Sequence, residues 1–477
     1  MNKLFIDNKW VNAVSGKTFD VLNPSNEKVL TKVPYGSKMD AELAIEAAKN
    51  AFPVWKETNA FDRAKLLKKV ANRIRTDVNE FAETTTLESG KPLLEARGEW
   101  MVAADLLEWF SEEAKRTYGT VIPSSRNNKR MQVVWQSIGV VGVITAWNFP
   151  VWNLARPWGA AIAAGCSIVA KPSEETPLTA MALAKIFEEE GLPAGVLNLV
   201  VGDAPGIGEV LMDSFEIRKV HFVGSTRVGK LLMDKASKTN TQLSLELGGN
   251  APVIIFPDVN VKEIAASAVG AKFRNCGQVC ISPQRFIVHK DIYEEFTSEA
   301  SKLIADYVYG DGMDETSQVG PLINKKQQDQ LKRLVKEAVA GGAEVLAGGD
   351  ASSKNGKGFY FKPTLLKNVT KDSPVFKEEI FGPLMPVLVF ETTKEAIEMA
   401  NNTEYGLAAY IWTNNLNTAI KVSEAVEFGI VGINEWTPHA TEAPFGGMKQ
   451  SGQGSELGHD GIFEYMEKKL ISIGGLS

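Results

Sequence analysis

Residues 140–147 read VVGVITAW, the first of four short apolar runs. SIVAK (167–171), VLNLVVG (196–202) and KVHFVG (219–224) follow, with helical patterns between them. Continuous apolar runs of this length read as strands buried on both faces, as in parallel sheets. Strands alternating with helices predict a doubly wound, parallel α/β sheet over roughly Val140–Phe256. One helix is well punctuated: Thr176 as its cap, Pro177 in its first turn and Gly191 at its stop.

Upstream, after a short β-like start, RAKLLKKVANRIRTDV (63–78) places Leu67, Val70, Ile74 and Val78 on one helical face. Downstream, a second α/β region spans about 249–450. It has PVIIF (252–256) as a buried strand and VKEIAASAVGAKFRN (261–275) as a helix that runs into a pair of cysteines. The final YMEKKLISI (465–473) alternates like a strand able to join another subunit's sheet.

With 477 residues, two or three lobes are expected rather than one. A net charge of −6 gives no reason to expect nucleic acid or a membrane surface as partner. The N-terminal MNKLFIDNKW has no apolar core of a signal peptide, and the longest apolar stretch, 158–170, is too short to span a bilayer. Three cysteines do not make a secreted disulfide framework, so a cytoplasmic enzyme is expected.

Two of those cysteines, Cys276 and Cys280, lie in FRNCGQVC (273–280). A zinc site needs three or four ligands, and the four histidines (221, 289, 439 and 459) are scattered, so no metal is expected. The spacing is not the CxxC of redox pairs, although a regulatory disulfide stays open. A nucleophile needs a base and oxyanion donors. Glu246, in LELGGN (245–250), offers the first. Asn148, in WNFP (147–150) at a strand end, can aim an amide into a cleft. Each feature alone reads equally well as a turn or a helix start.

Taken together and in this order, WNFP, LELGG and GQVC resemble the NAD(P)-dependent aldehyde dehydrogenase superfamily. KPSE (171–174), FVGSTRVG (222–229), EEIFGP (378–383) and PFGGMKQSG (444–452) agree, and the resemblance covers essentially the whole chain. It implies two doubly wound domains and a small β oligomerisation flap. The NAD-binding domain would take 1–117 and 138–248, the catalytic domain 249–450, and the flap 118–137 and 451–477. It also implies that Cys280 attacks an aldehyde, with Asn148 and the Cys280 N–H holding the oxyanion. Hydride loss would leave a thioester, which a water activated by Glu246 hydrolyses to the acid. Cys276 is then a buried bystander and Cys166 a core residue.

For the cofactor, the resemblance implies contacts from Trp147, Lys171, Pro172, Ser173, Glu174, Gly224, Ser225, Gly229, Leu247, Glu379 and Phe381. FVGSTRVG is not a GxGxxG fingerprint, so Gly224 and Ser225 would offer a helix N-terminus to the pyrophosphate instead. Glu174 beside the adenosine ribose would accept from a 2′-hydroxyl and repel a 2′-phosphate, which favours NAD over NADP. Arg156 and Arg274 stand where succinate-semialdehyde dehydrogenases carry arginines for the substrate's distal carboxylate, and guanidinium suits such an anion. The loop before PFGG departs from that subgroup by having His439 and Thr441, where a serine is common. A sulfolactaldehyde, a lactaldehyde or another hydroxyaldehyde therefore remains an alternative substrate, with His439 as a donor. The rival readings are a CoA-acylating relative, a cysteine hydrolase and a non-catalytic binding protein that retains the fold. A homodimer or homotetramer is the family expectation.

Overall fold

The computed structural model describes residues 2–354 and 356–476. Helix α1 (Leu93–Glu113) belongs to an N-terminal helical layer whose apolar faces pack together. Leu67, Val70 and Ile74 of the neighbouring Ala60–Thr76 helix are fully buried against it, whereas Val78 already opens the next helix.

The apolar runs form β1 (Val140–Ile144), β2 (Ser167–Lys171), β3 (Leu197–Leu199) and β4 (Ile217–Val223). β5 (Gln242–Glu246) completes the set. Helices α2 (Trp152–Ala164), α3 (Pro177–Glu189) and α4 (Thr226–Ala236) connect them. The five strands are parallel in the order β3-β2-β1-β4-β5, so the order reverses between β1 and β4. In open sheets of this kind ligands bind at that switch, outside the C-terminal strand ends.

The second sheet has β6 (Ala251–Ile255), β7 (Pro283–His289), β8 (Thr364–Lys367), β9 (Leu384–Phe390), β10 (Ala408–Trp412) and β11 (Ile430–Ile433), with Glu344–Ala347 added antiparallel at the β8 edge. Strands β6 to β11 run parallel in the order β8-β9-β7-β6-β10-β11. Helix α5 (Val261–Phe273), capped by Asn260, leads from β6 towards the cysteine loop. Only Leu247–Asn250 separates β5 from β6, so the seam between the two sheets lies beside Glu246.

Two expectations need correction. Thr176 makes no side-chain cap on α3. The buried carboxylate of Glu88 accepts from the N–H groups of Leu178 and Thr179 instead, a neighbouring helix doing what the local residue was expected to do. The flap's second segment begins at Met466 rather than 451, because Gly452–Gln453 adds to the first sheet beside β5. The terminal strand Met466–Ile473 pairs within its own chain, with Arg130–Ser137. No described helix is long and apolar enough to cross a membrane.

Candidate active site

A cavity of about 680 Å³ opens at the seam. Its wall includes Asn148, Glu246, Cys280, Arg274 and His439, and also Trp147, Gly224, Ser225, Leu247, Glu379 and Phe381. Residues 130 apart in sequence meet here because the strand ends and connecting loops of both sheets converge on the seam.

The nucleophile's loop is unusual backbone. α5 ends at Phe273, and Asn275 (φ 48°) and Cys276 (φ 57°) then take left-handed conformations. For residues with a Cβ this costs about 1–2 kcal/mol each, so neighbours must hold the turn. Gly277 continues it at φ +70°, and a Cβ there would lie 2.3 Å from the carbonyl oxygen of Gly382. Gly249 has the same role across the seam: a Cβ would stand 2.2 Å from the Cys280 carbonyl oxygen. Gly249 of LELGG thus lets that segment touch the cysteine loop, and Gly277 of GQVC lets the loop touch EEIFGP. Cys276 is buried, and burial pushes its thiol up, so it is a poor nucleophile; all three cysteines are free. Cys166 is core, its thiol raised by burial to about 11.

The Cys280 thiol donates to Glu246 Oε1 at 3.5 Å. Burial, then the charge of Glu246, raise its pKa well above the ordinary thiol value, while Arg156 pulls the other way. The resting group is therefore a thiol with its proton directed at a carboxylate. Asn148 is buried nearby. Its Nδ2 donates to the Gln278 carbonyl at 3.1 Å, and its Oδ1 accepts from Asn153 at 3.2 Å, which fixes the amide's orientation.

Arg156 is not where the sequence reading put it. It is 1% exposed and absent from the cavity wall. Its Nη2 lies 2.6 Å from Glu246 Oε2, its Nη1 pairs with Glu456, and its plane sits 3.8 Å from the Trp152 ring. The guanidinium is taken up by the base and by a second carboxylate, which leaves no face for a substrate. Arg274, in contrast, lines the cavity, and among the described residues it makes no ion pair. His439 lines it too. Burial, then Arg274 and Arg156, lower its pKa to about 4, so it is neutral at physiological pH, and its Nδ1 has no hydrogen-bond partner.

The expected cofactor residues divide into three groups. Trp147, Gly224, Ser225, Leu247, Glu379 and Phe381 meet on the cavity wall. Lys171, Pro172, Ser173 and Glu174 lie off it, at the C-terminal end of β2, where Lys171 and Glu174 form an ion pair. Gly229 lies within α4, where a Cβ would press on Leu247, so helix packing accounts for it. Glu379 accepts from the Gly249 N–H at 2.9 Å, and burial raises its carboxyl to about 7. Phe381 holds a positive φ of 51° with its ring edge against Trp147. A dinucleotide fits this arrangement: Trp147, after β1, and Gly224–Ser225, after β4, flank the switch point, and Ser225 opens the eleven-residue helix α4.

Sequence reasoning missed Lys91, Glu95 and Glu99. Glu95 and Glu99, four residues apart on α1, line the cavity, a helical spacing visible in GKPLLEARGE (90–99), and Lys91 precedes the helix and is buried behind Glu99.

A switch-point cleft that runs into a cysteine paired with a glutamate defines a dinucleotide-linked, thiol-dependent oxidoreductase. The comparisons agree: residues 10–471 match the aldehyde dehydrogenase family, and the chain belongs to it. It is 43% identical to a mitochondrial succinate-semialdehyde dehydrogenase of Oryza sativa subsp. japonica, over 99% of this chain and 89% of that one. It is 41% identical to the NADP(+) succinate-semialdehyde dehydrogenase GabD of Escherichia coli, over 98% and 97%. A crystal structure of an E. coli NADP-dependent enzyme superposes with a TM-score of 0.97 at 41% identity, covering 99% of this chain and 98% of that one. The protein is an aldehyde dehydrogenase, and the family's thioester chemistry is its chemistry.

Two outcomes follow from this geometry. Arg156→Ala strands two buried carboxylates and should destabilise the fold by about 3–5 kcal/mol; urea denaturation measures this, and activity should fall equally for charged and uncharged aldehydes. Because the Cys280 pKa is raised, its thiolate fraction grows with pH. Inactivation by iodoacetamide should therefore climb about tenfold per pH unit from neutral upward; a plateau near neutral pH would reveal a preformed thiolate instead.

Proposed function

We propose that the protein oxidises a short aldehyde bearing a distal anion, of the succinate- or glutarate-semialdehyde kind, using NAD. The observation that carries the substrate class is Arg274, a cation without an ion-pair partner among the described residues, on the wall that also carries Cys280. An unpaired guanidinium in a partly buried cavity suits a carboxylate or sulfonate, which it can grip through two N–H groups. His439, neutral and with a free ring nitrogen, adds a second polar group to the same wall. The substrates named for the similar rice and E. coli proteins support the same class.

In this reading the Cys280 sulfur attacks the carbonyl carbon and its proton passes to Glu246, 3.5 Å away. The remaining Asn148 amide hydrogen and the Cys280 N–H receive the oxyanion. Bound at the switch point, the oxidised nicotinamide supplies the hydride acceptor. Loss of hydride from the thiohemiacetal leaves a thioester on Cys280. Glu246 gives the thiol's proton up to solvent and then takes one from water as hydroxide adds to the thioester; collapse expels the Cys280 sulfur, which recovers that proton from Glu246, and the carboxylic acid leaves.

For the cofactor, Glu174 supports NAD. It is paired with Lys171 at the end of β2, and a carboxylate there would repel a ribose 2′-phosphate. The E. coli relative is named for NADP(+), so the preference of this chain is a property to be measured. A homodimer or homotetramer completes the reading, supported by Val121 (80% exposed) and Leu470 (59%) on the small flap sheet. Cytoplasmic residence is supported by the three free cysteines.

NAD(P)H formation should be followed over succinate semialdehyde, glutarate semialdehyde, sulfolactaldehyde, lactaldehyde, an aliphatic aldehyde and benzaldehyde. The anionic members should lead in kcat/KM. Arg274→Ala should cost them about 1.5–3 kcal/mol, roughly ten- to a hundredfold, and leave the aliphatic aldehyde nearly unchanged. A lead by uncharged aldehydes would overturn the substrate class. Glu174→Gln should raise kcat/KM with NADP by about tenfold while lowering it with NAD; no movement in either would remove Glu174 from cofactor choice.

A further inference from the structure

Lys91 is fully buried, and its Nζ donates to Glu99 and to the backbone carbonyl of Asn148, the latter at 2.9 Å, while sitting 4.1 Å above the Phe149 ring. Glu99 uses its other oxygen to accept from the N–H groups of Val151 (2.8 Å) and Trp152 (3.1 Å). These begin α2, whose cap position, Val151, has no side-chain cap of its own. One turn earlier on α1, Glu95 accepts from the Asn275 N–H at 2.8 Å, the start of the left-handed turn before Cys280. Asn275 closes the frame, donating through its Nδ2 to the same Asn148 carbonyl at 2.9 Å.

We propose that Lys91, Glu95 and Glu99 are positioning residues that hold the WNFP loop and the cysteine loop at the spacing the oxyanion needs. The two donors come from different sheets and from loops with little regular structure. Asn148 hangs from the backbone that Lys91 and Glu99 grip. The Cys280 N–H hangs from a turn that is unfavourable in isolation and that Glu95 anchors. α1 is the element that contacts both loops, so it acts as a bracket across the seam. None of the three residues has a place in the bond-making steps. They act through Asn148 and through the turn.

The inference rests on the oxyanion role of Asn148 given above, and the test separates the two. Lys91→Met combined with Glu99→Gln removes the buried pair without leaving a lone charge. Three quantities are read: the single-turnover rate of NADH formation, the iodoacetamide alkylation rate of Cys280, and the cofactor Kd. Loss of an oxyanion donor's alignment should slow acyl formation by about 10²-fold, with alkylation and Kd within about threefold. In an Asn148→Ala background the same pair should cost less than about threefold, because the residue it positions is gone. An undiminished cost in that background, or wild-type acyl formation in the folded double variant, overturns the bracket. If the double variant does not fold, Glu95→Ala and Glu95→Gln decide. Gln keeps an acceptor oxygen and should restore the rate lost in Ala, whereas two variants at the wild-type rate overturn the proposal. Asn148→Ala at the wild-type rate would remove the oxyanion role itself, and the bracket with it. A crippled Asn148→Ala beside an active Lys91→Met/Glu99→Gln removes the bracket alone.

Discussion

Glu246 lies buried between a thiol on one oxygen and a guanidinium on the other, and the site depends on that carboxylate being tolerated there. An isolated carboxylate moved out of water carries a penalty of several kcal/mol, which a well-placed cation offsets. Arg156 is that cation, stacked on Trp152 so that its weakly hydrated faces rest on an aromatic ring. It is shared with Glu456, which sits 3.2 Å from His221 Nε2. Burial lowers the His221 pKa well below normal, so the ring adds no second positive charge, and burial likewise raises the Glu456 carboxyl. The raised Glu456 carboxyl leans towards its neutral form, which directs the guanidinium's charge at Glu246.

The seam explains why the chemistry sits where it does. β5 ends on Glu246 and β6 begins at Ala251, so the base closes one sheet and the next starts five residues later. In between, Leu247 N donates to Ser451 O, Ser451 Oγ donates to the Gly248 carbonyl, and Gly249 N donates to Glu379. Every polar backbone group used there is tied to a distant part of the chain. Gly249 then lets the Cys280 carbonyl approach to a distance no side chain would allow. Neither sheet alone could assemble the site: the base comes from the first and the nucleophile's loop from the second.

What was legible in the sequence follows from the range of each interaction. The strands of the first sheet could be read because burial on both faces writes itself as local apolar runs. Cys280, Glu246 and Asn148 could be read because each needs a neighbour in sequence: glycines for close approach, or a proline after a strand end. The function of Arg156 could not be read, because it is set by Glu456, three hundred residues later, and two arginines near a nucleophile look alike until their partners are known. Thr176 failed as a cap for the same reason, Glu88 having come from another helix. The Glu95–Glu99 spacing was visible as one helical face, but a charged face reads as solvated until the loops that cover it are placed.

The cavity wall also constrains what can bind. Among its ionisable residues Glu95, Glu99, Glu246 and Glu379 are acids, and Arg274 is the cation. Glu99 is answered by Lys91 and Glu246 by Arg156, both from behind the wall. Glu95 is raised by burial, partly held down by Lys91 and Arg274, so its charge and that of Arg274 are linked. An anion docking on Arg274 weakens that pull and favours the neutral form of Glu95. Glu379, raised to about 7, stands ready in the same sense beside the cofactor cleft. Proton uptake on such a wall would reconcile its mostly acidic lining with the anionic substrate proposed above.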